Sequence, residues 1–93
     1  MSERIPQLEV LYAELVELCR KGLAWAQKND YPEVEEYPQY SRAREIGELL
    51  SKHYGFPAMQ GAVHLVYQEV TSEDGGQAAL LEYGWSGIGG WQS

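Results

Sequence analysis

The side chains able to do acid–base, nucleophilic or metal chemistry are few: one thiol, Cys19, and two imidazoles, His53 and His64, with Glu48, Glu69 and Glu82 as the acids that could join them. A metal site would need these groups at ligating intervals. The chain has no HExxH pair, no CxxC and no Asp-rich calcium loop, and its histidines fall eleven residues apart on separate predicted elements. A hydrolytic set can be written from Ser51, His53 and Glu48, but on one helix this spacing does not bring nucleophile and base into mutual reach. Cys19 falls on an apolar stripe, where a cysteine behaves as a small hydrophobe. These patterns predict no catalytic residue, no metal and no cofactor.

Gly87-Ile88-Gly89-Gly90 has the glycine spacing of the loop that clamps nucleotides in KH modules, and resembles fragments of phosphate-binding loops. Phosphate binding needs cations on the same surface, and their distribution is one-sided. All seven lysines and arginines lie at or before Lys52, and the formal net charge is −7. Residues 43 to 67 could also form a helix-turn-helix. Its second helix, however, would offer Gln60, His64 and Gln68 with Glu69 and no cation, so phosphate would be repelled. Nucleic acid and anionic membrane surfaces are therefore not expected partners.

The elements that must position these groups read as helices. Residues 6 to about 28 form one amphipathic helix, with Leu8, Leu11, Leu15, Leu18, Cys19, Gly22, Trp25 and Ala26 on a single stripe. Pro6 suits its first turn. Glu9, Glu14 and Glu17 precede Arg20, Lys21 and Lys28, an order that complements the helix dipole, and Glu17 with Lys21 makes an i,i+4 pair. Asn29 to Tyr40 reads as an ordered loop in which two prolines stop helices and Tyr31, Tyr37 and Tyr40 supply apolar area. Ser41 is the expected N-cap of a second helix that ends at His53 or Tyr54 before Gly55, with Ala43, Ile46, Leu49, Leu50 and His53 facing inward. Arg42 and Arg44 fall in its first turn, against the dipole, and Glu35 and Glu36 are their expected partners.

Residues 57 to 71 fit a third helix through Met59, Ala62, Val63, Val66, Tyr67 and Val70, although β-branched content and the alternation of Val63, Leu65 and Tyr67 also suit a strand. After a turn at residues 72–76, Gln77 to Tyr83 reads as a short helix stopped at Gly84. The expected fold is thus a single all-α domain, a bundle of about four helices with a Trp/Gly-rich C-terminal tail folded back on the core. The alternative is α+β, with two helices and a C-terminal β-hairpin.

That tail holds Trp85 and Trp91, two of the three tryptophans. Its glycines would let Trp85, Ile88 and Trp91 turn back onto the helices as a latch, which is the expected arrangement; rings at a chain end that meet a partner are the alternative.

The composition is that of a globular protein, 44% hydrophobic and 23% charged. The N-terminal residues lack the basic head and apolar run of a signal peptide, no run approaches a membrane span, and one cysteine suits a reducing compartment, so the expected location is cytoplasmic. Two functional readings follow. The first is a non-catalytic protein-interaction or assembly module. Its first helix, about 35 Å long, exceeds what a small core can cover and would pair with a second copy as a homodimer, or with another protein. The second is a small-molecule-binding protein or minor enzyme, with a pocket among Tyr31, Tyr37, His53, Tyr54, His64 and Trp85. Trp91 is the second tail ring available to a partner.

Overall fold

The computed structural model describes residues 7–70 and 76–91, and the fold is all-α. Four helices follow in order: α1 (Leu8–Lys28), α2 (Tyr40–His53), α3 (Phe56–Glu69) and α4 (Ala79–Gly84), with a single 3-10 turn at Val34–Glu36 between the first two. Among the described residues there is no strand, so the β-hairpin alternative is set aside. No helix among them is long and apolar enough to cross a membrane.

The periodic stripes become the core. Leu11, Leu15, Leu18 and Cys19 of α1 are buried with Ala43, Ile46 and Leu50 of α2, and Met59, Ala62 and Val66 of α3. Helix α1 packs on α2 and α3, and α2 also receives α4. Among the described residues no polar or charged residue is fully buried. The interior therefore carries no polar network, and any chemistry must lie at its margins.

Helix ends depart from expectation in instructive ways. Helix α1 starts at Leu8 with Gln7 in the capping position, and Pro6 lies outside the described residues. Ser41 does not cap α2. The helix begins one residue before it, and the capping position is held by Gln39 without a side-chain hydrogen bond. The preceding loop already delivers the chain in a tight turn, Tyr40 N–H donating to Tyr37 O at 3.0 Å, which draws Ser41 into the first turn. Gly55 does stop α2, at φ +87°, with the amides of Tyr54 and Gly55 both donating to Leu50 O at 2.8 Å. Its carbonyl then accepts from Ala58 as α3 begins, with proline in the first turn. Tyr67, expected on the inner face of α3, is exposed, and its hydroxyl donates to Glu82.

The cations also find other partners. Arg42 reaches α1, where its guanidinium forks onto Glu14 with Nε–Oε2 2.6 Å and Nη2–Oε1 2.8 Å, and it also pairs with Glu45. Arg44 donates to the carbonyls of Gly84, at 2.6 Å, and Ser86, at 3.3 Å, at the end of α4. Neither pairs with Glu35 or Glu36 among the described residues. The cation that the α2 dipole disfavours is instead used against the negative end of α4. Glu17 pairs with Arg20, one helical step nearer than Lys21, and Arg20 also donates to Glu69 O at 3.3 Å.

The tail folds back on the core. Trp85 has no exposed surface, Ile88 is buried and Trp91 is half-buried. The Trp85 and Trp91 rings meet edge to face with centroids 5.4 Å apart, and Phe56 extends the contact at 5.6 Å from Trp91. Both indole N–H groups are satisfied by backbone: Trp85 donates to Ala43 O at 2.8 Å and Trp91 to Glu82 O at 3.0 Å. The return needs glycine at position 89, where φ is +56° and a β-carbon would approach Ser51 Cβ to 2.8 Å.

Candidate functional site

The stripe of α1 continues past the core. Beyond Cys19 the helix presents Gly22, Leu23, Trp25 and Ala26, and here no other long helix covers it. The chain instead doubles back on itself. Asn29 closes α1 twice over, its amide N–H and its Nδ2 both donating to Trp25 O at 3.0 and 2.8 Å. Asp30 and Tyr31 then take left-handed φ values of 63° and 55°, and the Tyr31 amide donates to Ala26 O at 2.7 Å. Two successive non-glycine residues in this region are uncommon and reverse the chain sharply. Pro32 and the 3-10 turn carry it back along α1 to Tyr37, which is buried against Trp25 with ring centroids 5.3 Å apart and planes tilted by 47°.

Between α1, this returning segment and the start of α4 lies a cleft of about 520 Å³. Leu23, Trp25, Val34, Tyr37 and Leu80 give it apolar walls. Gly22 sets its depth: a β-carbon there would lie 3.4 Å from the Tyr37 ring and 3.6 Å from Leu80, so a longer side chain would enter the space. Tyr31 and Tyr83, both more than half exposed, stand at the mouth.

The cleft's polar groups are few and of one character. Its ionisable carboxylates are Glu33 and Glu35, and no lysine, arginine or histidine lines it among the described residues. Gln77 is also a lining residue, but its Oε1 atom, which has no hydrogen-bond partner, is itself closed off from solvent. Burial pushes the Cys19 thiol up to about 12, which keeps it protonated and unreactive. The Tyr37 phenol is also raised, first by burial and then by the nearby Cys19.

Of the residues expected to share a pocket, the structure brings only Tyr31 and Tyr37 to this cleft. His53 ends α2 and is half-buried, Tyr54 follows it, and Trp85 is sealed in the core with Trp91 beside it. His64 is exposed on α3, with Gln68 Nε2 3.2 Å from its Nε2. No group of three or more histidine, cysteine, aspartate or glutamate side chains among the described residues converges to hold a metal. Sequence reasoning passed over Gly22, Trp25 and Gln77 as site residues. The available signal was the α1 stripe running on through Gly22 and Trp25 into a loop rich in tyrosine.

The glycine turn at residues 87–89 does meet cations across space, contrary to the expectation from sequence neighbours. Arg44 and Lys52 of α2 border a shallow depression beside it, with Glu48 and Ser51. Arg44 spends its guanidinium N–H groups on the Gly84 and Ser86 carbonyls, and Glu48 stands beside Lys52 in the lining, so the depression presents no cluster of free cationic donors for phosphate.

Comparison with models of known protein families, with curated proteins and with solved structures finds no match to this chain.

Proposed function

We propose that this protein is a non-catalytic binding module that holds a small organic ligand in the cleft between α1, the 31–37 segment and α4. One observation carries the reading: a cleft of about 520 Å³, walled by Leu23, Trp25, Val34, Tyr37 and Leu80, opens between the exposed rings of Tyr31 and Tyr83. Small-molecule sites commonly enclose several hundred cubic ångströms, with mostly apolar walls and a few fixed polar groups. The thiol on the wall is held protonated by burial, which argues against nucleophilic chemistry there.

Self-association through α1 has less support. The stripe from Leu11 to Cys19 is covered by the chain's own helices, and Val10, at 57% exposure, is the only large apolar side chain of α1 fully outside the core. What remains uncovered of that stripe is concave, which suits a small molecule better than a flat helix-to-helix contact.

The test is amide NMR of the whole chain against fragments of varied charge and polarity. Saturable shifts confined to Gly22, Trp25, Tyr37, Gln77 and Leu80 are expected, and Gly22→Met should abolish them by filling the cleft while leaving the helical circular dichroism intact. Shifts clustered on the Phe56–Trp91 side, or none with any fragment, would overturn the reading.

A further inference from the structure

We infer that the ligand of this cleft is an uncharged molecule with a flat apolar body and a carbonyl-type oxygen that accepts a hydrogen bond from the Tyr37 hydroxyl. This rests on the cleft being a ligand site and names the group that selects what enters it.

Tyr37 is 8% exposed, and its ring packs against Trp25. Its hydroxyl makes no hydrogen bond to the described residues. Nor is that oxygen sealed. Among the described residues that are not exposed, Gln77 Oε1 is the one unpartnered side-chain oxygen without solvent contact, so solvent reaches the Tyr37 hydroxyl. The space it reaches is the cleft. A β-carbon at Gly22 would lie nearer to Tyr37 Cε2 than to Cδ2, at 3.4 against 3.7 Å, so the hydroxyl end of the ring leans on α1. The phenol also feels Cys19, one helical turn before Gly22, and both residues line the cleft. A hydrogen-bonding group is thus held on the cleft wall by a ring more than nine-tenths buried, and the chain leaves it unused.

That arrangement specifies the ligand's chemistry. In the unliganded protein the hydroxyl bonds to water, and a molecule seated against Trp25 and Tyr37 displaces that water. A pure hydrocarbon would leave the O–H dry and unpaired, at a cost to its affinity. A phenol donates more strongly than it accepts, and burial keeps the proton on Tyr37 at neutral pH, so the matching atom is an acceptor. Charge of either sign is disfavoured at this depth. A carboxylate would find no lysine, arginine or histidine in the lining among the described residues, and would face Glu33 and Glu35. A cation would leave water for walls of Leu23, Val34 and Leu80, while the two glutamates are exposed and solvated. The 47° tilt between Trp25 and Tyr37 suits a flat body, which can stack on one ring and meet the edge of the other.

Four probes of nearly one shape separate these contributions: acetophenone, isopropylbenzene, benzoate and benzamidine, the last a cation at neutral pH. Each is titrated by amide NMR into the full chain and into Tyr37→Phe. The substitution keeps the ring and removes an oxygen that the fold does not use, so the urea midpoint should not fall. Comparing the two proteins for each probe cancels the probes' own differences in hydrophobicity. Acetophenone should bind about two- to tenfold more weakly to Tyr37→Phe, and isopropylbenzene no more weakly. Benzoate and benzamidine should bind the parent more weakly than acetophenone does. The carbonyl carbon of labelled acetophenone should resonate further downfield on the parent than on the variant, a signature that a packing role for Tyr37 would not give. An equal effect of the substitution on acetophenone and isopropylbenzene would overturn the donation from Tyr37 while leaving the cleft as an apolar site. A destabilised variant would do the same, since the hydroxyl would then be bonded within the fold. Tighter binding of benzoate or benzamidine than of acetophenone would overturn the uncharged ligand. Absence of cleft shifts with every fragment tested would overturn the binding reading itself, and this inference with it.

Discussion

Trp85 lies so close to Gly47 that a β-carbon at position 47 would stand 2.5 Å from the indole nitrogen and 2.7 Å from Cδ1. The bare backbone of α2 is what allows the indole to donate to Ala43 O, one turn earlier, with no part of the ring exposed. Tail and helix are therefore fitted to each other at one residue.

Gly47→Ala should consequently destabilise the protein, by about 1–3 kcal/mol, as overpacking against a rigid ring outweighs the improved helix propensity of about 1 kcal/mol. Gly22→Ala is the contrasting case. Its β-carbon would make ordinary contacts of 3.4 Å or more, so propensity should dominate and the change should be neutral or stabilising. Urea denaturation of both variants checks the difference in sign; two stabilising substitutions would mean that the tail does not sit on α2.

Truncation after Tyr83 removes Trp85, Ile88 and Trp91 together. Truncating one buried tryptophan alone costs about 3–5 kcal/mol, against a total stability of about 5–15 for a domain. Loss of a cooperative thermal transition is expected. A truncated chain that still unfolds cooperatively near the parent temperature would identify the tail as an appendage rather than a latch.

The helices were legible because their inward residues repeat at three and four positions, and this pattern depends on α-helical geometry alone. Leu11, Leu15, Leu18 and Cys19 are buried as their spacing requires. The pull of two tryptophans among glycines toward a core was legible for a similar reason, the cost of wetting an indole. Partners across the fold were not. Arg42 and Arg44 conflicted visibly with the dipole of α2, but the nearest carboxylates in sequence were the wrong ones. Glu14 and the end of α4 come within reach only once the helices have packed. The cleft was half legible. Tyr31 and Tyr37 stood out by type, but its shape depends on two left-handed residues, Asp30 and Tyr31, and neither is a glycine that would have flagged the turn.

The Arg42–Glu14 fork has a pH signature. The side-chain hydrogen bond from Arg42 holds the Glu14 carboxyl below its ordinary value of 4.5, with the guanidinium charge acting in the same direction against a burial effect. A depressed folded-state value means stability that is present above 4.5 and is lost as pH falls through the lower folded value. Both side chains are about one-third exposed, so the pair is worth at most about 1 kcal/mol. Glu14→Gln should lower stability by that order at pH 7, and the difference from the parent should close in acid. A gap that persists unchanged at pH 2 would assign the effect to packing rather than to the ion pair.

Cys19 reports on whether the wall between core and cleft is closed. It is 1% exposed, and burial raises its thiol from an ordinary 9.0 to about 12. At pH 8 about one molecule in 10⁴ would carry the thiolate, the form that reacts with alkylating agents. Iodoacetamide should therefore modify the native protein at least about 10³-fold more slowly than a free thiol, with a rate that climbs with urea as opening exposes the group. The linkage runs in the alkaline direction. Because the folded state retains the proton that the unfolded state releases, this contribution to stability is complete below 9.0 and is lost as pH rises toward about 12. Rapid alkylation without urea, levelling off near pH 9, would show instead that the cleft reaches the thiol. Cys19→Ala should then widen the cleft, and its effect would appear in ligand affinity rather than in stability alone.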